Sequence, residues 1–190
     1  MSHAPIPPHA HYPVSSEPRR GDWIQTASGR QFWPLDPRPD EVCIEDIAHA
    51  LSNQCRYGGH TKRFYSVAEH CCILAAYAPE ALRFTALMHD AAEAYLVDVP
   101  RPIKKSLVIY YDLEREIEIA IANRFGLMWP WHPDVMVLDT RILTDERQQL
   151  MATPPIAWGT DAKPLGVTIE GLEPAIAKRR FLDLFERLSK

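Results

Sequence analysis

From Asp40 onward, apolar residues recur at helical spacing along most of the chain. In IEDIAHALSNQC, Ile44, Ile47, Ala48 and Leu51 share one face, and His49 lies off it. Ser66 and Glu69 form a capping-box pattern that opens a helix running through His70 to about Tyr77. Pro79 suits the first turn of the next helix, 79–97. That segment, PEALRFTALMHDAAEAYLV, is apolar nearly all round, which marks a buried helix. Pro100 and Pro102 break the pattern in VPRPIKKS. It resumes in YYDLEREIEIAIANRFG, with Leu113, Ile117, Ala120 and Ile121 on one face and Gly126 as a stop. A further helix starts at Pro133 and reaches Leu150; the last begins near Pro174 and buries Phe181, Leu182, Phe185 and Leu188. Strand-like stretches are short. WIQT and QFWPL flank a Ser28–Gly29 turn and read as a small hairpin, plugged by Trp23, Phe32 and Trp33. The expected fold class is all-α: a compact bundle of roughly six to eight helices with a small N-terminal β-hairpin.

The remaining segments read as loops. Residues 1–20 form a Pro-rich arm holding Pro5, Pro7, Pro8, Pro13 and Pro18, with His3, His9 and His11 as solvated side chains. RYGGHTKRFY is broken by Gly58 and Gly59, and 152–171 is a long loop rich in Pro, Gly and Thr. With 190 residues, 46% of them hydrophobic, the chain can bury one full core, assigned to residues 21–190. The net charge of −4 argues against binding a long polyanion, while leaving room for a local basic pocket. There is no apolar run of about 18 residues for a membrane span and no signal-like N-terminus, so a cytoplasmic location is expected. Cys43, Cys55, Cys71 and Cys72 contain no C-x-x-C pair and read as reduced core thiols.

Charge inside the core pattern carries the chemistry. His89 and Asp90 lie within the apolar helix, and an unpaired buried carboxylate is costly. Asp90 therefore needs an arginine, a hydrogen-bond network or a metal ion. Glu93 follows His89 by four residues and shares its face. His70 sits just inside the preceding helix. On 134–150, the mean direction of Val135, Leu138, Ile142, Leu143 and Leu150 falls close to Asp139. Glu146 also points inward, so periodicity leaves two inward acids there; Asp145 lies toward the edge and Asp134 further out. The set His70, His89, Asp90 and Asp139 would present two imidazoles and two carboxylates to a divalent ion. Mn, Fe, Co, Ni and Zn suit that mixture, and Mg is admitted. Such a shell leaves positions open for water and a substrate oxygen.

These residues resemble a family. The order His … His-Asp … Asp, with YSVAEHC, HDAAEAYLVDVPRPIK and RYGGHT around it, is similar to the HD-domain metal-dependent phosphohydrolases over about residues 40–145. The branch it looks most like holds 5′-deoxynucleotidases and small phage-type dATP triphosphohydrolases. The resemblance implies that His70, His89, Asp90 and Asp139 bind the metal. It implies that Glu93 activates the attacking water and that Asp98 serves near the phosphate or its leaving group. Arg56, Tyr57, His60 and Lys104 would meet the nucleotide, with Lys62, Arg63, Arg101 and Lys105 as further cations for a longer phosphate chain. Tyr57 stands where several members have Trp. The implied activity is hydrolysis of a (deoxy)nucleotide at the α-phosphate, on a monophosphate or on a triphosphate such as dATP, by a homo-oligomer. Three alternatives stand beside it. One is a non-catalytic HD-fold nucleotide-binding module, which would not need both Glu93 and Asp98. Another is a phosphodiesterase or nuclease. The last is a helical protein whose buried acids are only ion-paired, with Arg83 and Arg141 nearby in sequence.

Overall fold

The computed structural model describes residues 18–159 and 162–190. The expected arm, with His3, His9 and His11, falls mainly outside the described residues. The rest is mostly helical. A two-stranded antiparallel hairpin, β1 (Ile24–Gln25) and β2 (Gln31–Phe32), precedes α1 (Ile44–Asn53), α2 (Val67–Tyr77), α3 (Arg83–Met88) and α4 (Glu93–Leu96). Then come α5 (Arg101–Lys104), α6 (Val108–Phe125), α7 (Pro133–Leu150) and α8 (Pro174–Leu188). Among the described residues, no helix is long and apolar enough to cross a membrane.

α2 is the central element. It packs against α1, α3, α7 and α8. On one side Val67, Ala68 and Cys71 join Ile47, Leu51, Leu87, Ile121 and Phe181; on the other, Leu74 joins Tyr65, Val135, Ile142 and Leu150. A helix covered on all sides must be apolar all round or satisfy its polar groups internally. His70 is fully buried at its heart.

The expected boundaries hold for α1, α6, α7 and α8, including Pro133 and Pro174 in their first turns and Gly126 at a left-handed φ of 69°. In the hairpin, Ile24 pairs with Phe32 across the Ser28–Gly29 turn. Phe32 is the true plug: it is fully buried and stacks on Tyr95 with ring centroids 3.7 Å apart, whereas Trp23 is 40% exposed.

Four expectations are corrected. The single helix 79–97 is broken. Pro79 is extended (ψ 146°), a short 3-10 turn covers Glu80–Leu82, and α3 and α4 flank a tightened turn at 89–92. There the N–H groups of Ala91, Glu93 and Ala94 reach back to Met88, Asp90 and Ala91, three residues rather than four. VPRPIKKS does form a helical turn, α5, because Pro102 falls in its first turn, where no N–H is needed. Ser66 caps α2 by accepting from the Glu69 N–H at 3.1 Å, but the Glu69 carboxylate does not close the box. It accepts instead from the N–H groups of Glu170, Gly171 and Leu172. Asp145, expected toward an edge, is buried and does the same for Leu165, Gly166 and Val167. These two carboxylates pin the end of the long loop to the body, satisfying backbone donors that the loop's lack of regular structure leaves free.

Candidate metal centre

Four side chains from three elements converge on one point: His70 from α2, His89 and Asp90 from the tightened turn, and Asp139 from α7. Atoms of His70, His89 and Asp139 lie within 4.8 Å of one another, and all three residues are buried. Asp90 joins through separate oxygens. Its Oδ2 is 3.5 Å from His70 Nε2 and its Oδ1 is 3.2 Å from His89 Nε2. Asp139 Oδ1 stands 3.3 Å from His70 Nε2. Asp90 is only half-buried, so the cluster opens to solvent on its side.

The imidazoles are oriented from behind. Nδ1 of His70 meets Glu146 Oε1 at 2.8 Å, and Nδ1 of His89 meets the Ala86 carbonyl at 2.9 Å. In each ring the nitrogen facing the cluster, Nε2, is buried and without an aligned hydrogen bond. A carboxylate or carbonyl behind each imidazole fixes the Nδ1–H tautomer and leaves Nε2 as a lone-pair donor. Two such nitrogens beside two carboxylates are a fitting shell for a divalent cation.

Without a metal, a proton takes part of that place. Burial and the Arg56 charge push His70 toward its neutral form, but Glu146 and Asp139 more than offset them and hold its pKa up at about 9. Asp139 is driven far below the ordinary carboxylate range; burial opposes this, and the His70 imidazolium outweighs it. Metal binding at neutral pH must therefore displace a proton from His70. Adding Mn or Zn to metal-stripped protein in weak buffer is expected to release about one proton per ion. At a hundred times its Kd the ion stabilises the fold by about 2.7 kcal/mol. At this chain length that raises the melting temperature by about 5–10 °C. Calorimetric melts with and without metal check the second figure.

Glu146, one of the two inward acids of α7, is the orienting group and not a rival ligand. It is fully buried, accepts from Tyr65 Oη at 2.9 Å and from the Tyr57 hydroxyl, and pairs with Arg56 Nε at 3.4 Å. Arg56 Nη1 also reaches Asp90 Oδ2 at 3.3 Å. Arg56 is thus a buried counter-charge to the cluster. Tyr57 holds its place at the cost of a left-handed φ of 57°, uncommon for a bulky residue.

Glu93 lies beside this shell, 7% exposed, with its Oε2 unpartnered. Burial raises its pKa well above the ordinary range, and the Asp90 and Asp98 charges add to the rise. Asp98 is half-buried on the other side of a short link. Lys104 is near enough to act on both Glu93 and Asp90, but its ammonium is bonded to Glu114 at 2.6 Å. His60 is exposed at the end of the Arg56–Gly59 turn, and no contact among the described residues ties it to the cluster. Arg101, expected only as a phosphate cation, donates to Asp139 Oδ2 at 2.7 Å. Cys71 stands near His89 and Asp90. Burial keeps its thiol protonated, so it packs there as a neutral neighbour.

Sequence reasoning missed Gln54, Glu114, Tyr65 and Trp158. Trp158, from the long loop, rests against Tyr57 (centroids 5.9 Å) and under the Arg147 guanidinium. None of these four gave a signal, whereas Glu146 did, because it recurs two turns after Asp139 on the buried face.

No family model matches the chain. An uncharacterized protein of Rhodobacter capsulatus is 39% identical over 115 residues, which is 55% of this chain and 59% of that protein. The uncharacterized protein YfdR of Escherichia coli (strain K12) is 36% identical over 172 residues, covering 88% of this chain and 96% of YfdR. Identity of that order, sustained over nearly the whole of the relative, places this chain in the YfdR family.

Proposed function

We propose that the protein is an HD-domain metal-dependent phosphohydrolase that cleaves a (deoxy)nucleoside 5′-monophosphate at its α-phosphate. The observation that carries this reading is the pair of buried imidazole Nε2 atoms that lack hydrogen bonds and face Asp90 and Asp139, with the unpartnered Oε2 of Glu93 beside them. A structural ion-pair network would satisfy those atoms. Arg83 and Arg141 bond elsewhere, to the carbonyls of Ala78, Lys163 and Pro164. The ion pairs the acids do make, Asp90 with Arg56 and Asp139 with Arg101, leave both Nε2 atoms without a hydrogen bond.

A divalent cation held by His70, His89, Asp90 and Asp139 would supply Lewis acidity toward a phosphoryl oxygen and toward water. Its charge would also draw Glu93 down into the range where it can accept a proton. Glu93 then takes one proton of the attacking water as the water oxygen bonds to phosphorus. The bond from phosphorus to the 5′ oxygen breaks in line, and that oxygen leaves with the proton Glu93 took from the water, with Asp98 placed beside the leaving group. The products are a nucleoside and inorganic phosphate. Arg56 offsets negative charge at the cluster, and Lys104 can do so at the rim if phosphate draws it from Glu114. Tyr57 and Trp158 offer flat apolar surface to the nucleoside.

A monophosphate is favoured over a triphosphate because two of the four cations expected for a longer chain, Arg63 and Arg101, are engaged. Arg63 donates to the Ile169 carbonyl, and Arg101 is held by Asp139. The test is product analysis after incubating metal-stripped protein with dAMP and dATP, resupplied in turn with Mn, Co, Zn or Mg. Phosphate from dAMP is expected, abolished in an Asp90→Ala protein. Intact triphosphate from dATP would reassign the substrate. Turnover of neither would sink the proposal.

A further inference from the structure

The two acids assigned to the reaction, Glu93 at the start of α4 and Asp98 beyond its end, are separated by a link that leaves the helix, so something must fix their spacing. α4 ends at Leu96, and Val97 takes φ 67° and ψ 155°. A β-branched residue there is a genuine outlier. Packing does not compensate, since the Val97 side chain is 58% exposed. Strain of this kind persists only where surrounding contacts over-determine it.

Those contacts come from two side chains. Gln54 caps the end of α1, and its own carbonyl accepts from Val67 N–H at the start of α2. Its side-chain amide then spans the strained link. Nε2 donates to the Glu93 carbonyl at 3.0 Å, and Oε1 accepts from the Asp98 N–H at 3.0 Å. Tyr110, from α6, donates its hydroxyl to the Val97 carbonyl at 2.7 Å. Gln54 therefore holds the backbone of both acids at once, and ties them to the helix that carries His70.

We propose that Gln54 is a positioning residue: its side-chain amide clamps the Glu93 carbonyl and the Asp98 N–H, holds Val97 in its strained conformation, and so sets the two carboxyls at the spacing hydrolysis requires. The inference rests on the phosphohydrolase reading. The clamp touches neither the metal ligands nor the nucleoside surface. Its loss acts on the chemical step and spares metal and substrate binding.

The test uses Gln54→Ala, Val97→Gly and the double variant in the full-length chain. With dAMP and Mn, Gln54→Ala is expected to lower kcat by roughly 10- to 100-fold, the scale of a misplacement of about 1 Å. KM and the metal-titration midpoint are expected to stay within about threefold, because uniform binding is untouched. Val97→Gly alone is expected to be close to wild type. Added to Gln54→Ala, it is expected to restore kcat severalfold, since glycine holds a positive φ without the clamp. Hydrogen exchange supplies a readout independent of turnover: the Asp98 amide exchanges faster in Gln54→Ala. Unchanged kcat, a loss shared equally by metal affinity, or no recovery in the double variant overturns the proposal. If the wild-type protein hydrolyses nothing, the phosphohydrolase reading fails by itself, and exchange at Asp98 decides the clamp: unchanged protection overturns it, lost protection upholds it.

Discussion

A Glu93→Gln protein is expected to bind its metal as the wild type does and to lose about 10²- to 10⁴-fold in kcat, the range for removing a general base. The substitution is nearly isosteric. It is also gentle on the fold, because burial and the neighbouring Asp90 and Asp98 charges already push the Glu93 carboxyl toward its neutral form in the metal-free protein. A neutral amide therefore suits a site that already favours the neutral acid. The pH dependence follows with a definite sign. Glu93 has a folded-state pKa above its unfolded value of 4.5, so its contribution to stability is complete below that pH and is lost as pH rises toward the folded pKa. Metal-free Glu93→Gln should lack this decline and melt at or above the wild-type temperature at neutral pH. Metal content by elemental analysis, steady-state kinetics and melts from pH 4 to 8, about half a unit apart, read the three effects separately. A variant that loses metal together with activity would make Glu93 a ligand or a structural acid instead of a base.

The helical framework was legible because helix ends are local chemistry. Pro133 and Pro174 open helices where a missing N–H costs nothing, and Gly126 closes one at a left-handed φ. The cluster that could hold a metal was legible for a related reason: His89 and Asp90 interrupt an apolar segment, and Asp139 sits on the axis of an apolar face. What was hidden depends on contacts distant in sequence. Glu69 reads as half of a capping box, yet its carboxylate serves backbone donors 101 to 103 residues away. Periodicity made Glu146 and Asp139 equal candidates. Only the fold shows that one faces Nδ1 of His70 and the other Nε2, which separates an acid behind the ring from one inside the cluster. Gln54 left no trace, since a polar residue after a helix is ordinary. The break in helix 79–97 was invisible for the opposite reason: every residue in it suits a helix, and the tightening at 89–92 becomes visible only in the hydrogen bonds.

Glu146→Ala is expected to be the most damaging single change outside the metal ligands, and its damage should be divisible. Glu146 holds the His70 ring, two tyrosine hydroxyls and the Arg56 guanidinium at once, with no exposure to solvent. Its pKa lies at about 2: burial opposes this, and Arg56 and His70 prevail. Removing one partner of a buried pair leaves the other uncompensated, a loss of about 3–5 kcal/mol. Freeing the imidazole is expected to cost a further 10- to 100-fold in metal affinity. Glu146→Gln separates the two. An amide oxygen can still accept from His70 Nδ1–H, so metal affinity should fall much less, while Arg56 still loses a charge partner and the stability loss remains. Acid melts supply the sign. A carboxyl with a depressed folded pKa stabilises fully above its unfolded value of 4.5, and that contribution fades as pH falls toward about 2. Both variants should therefore unfold with a shallower dependence on pH across that window than the wild type. Arg56→Met combined with Glu146→Gln tests the origin of the loss: with the guanidinium gone, much of the stability should return. If the double variant is no more stable than Glu146→Gln alone, the ion pair is not what Glu146 contributes, and its hold on the tyrosines must be.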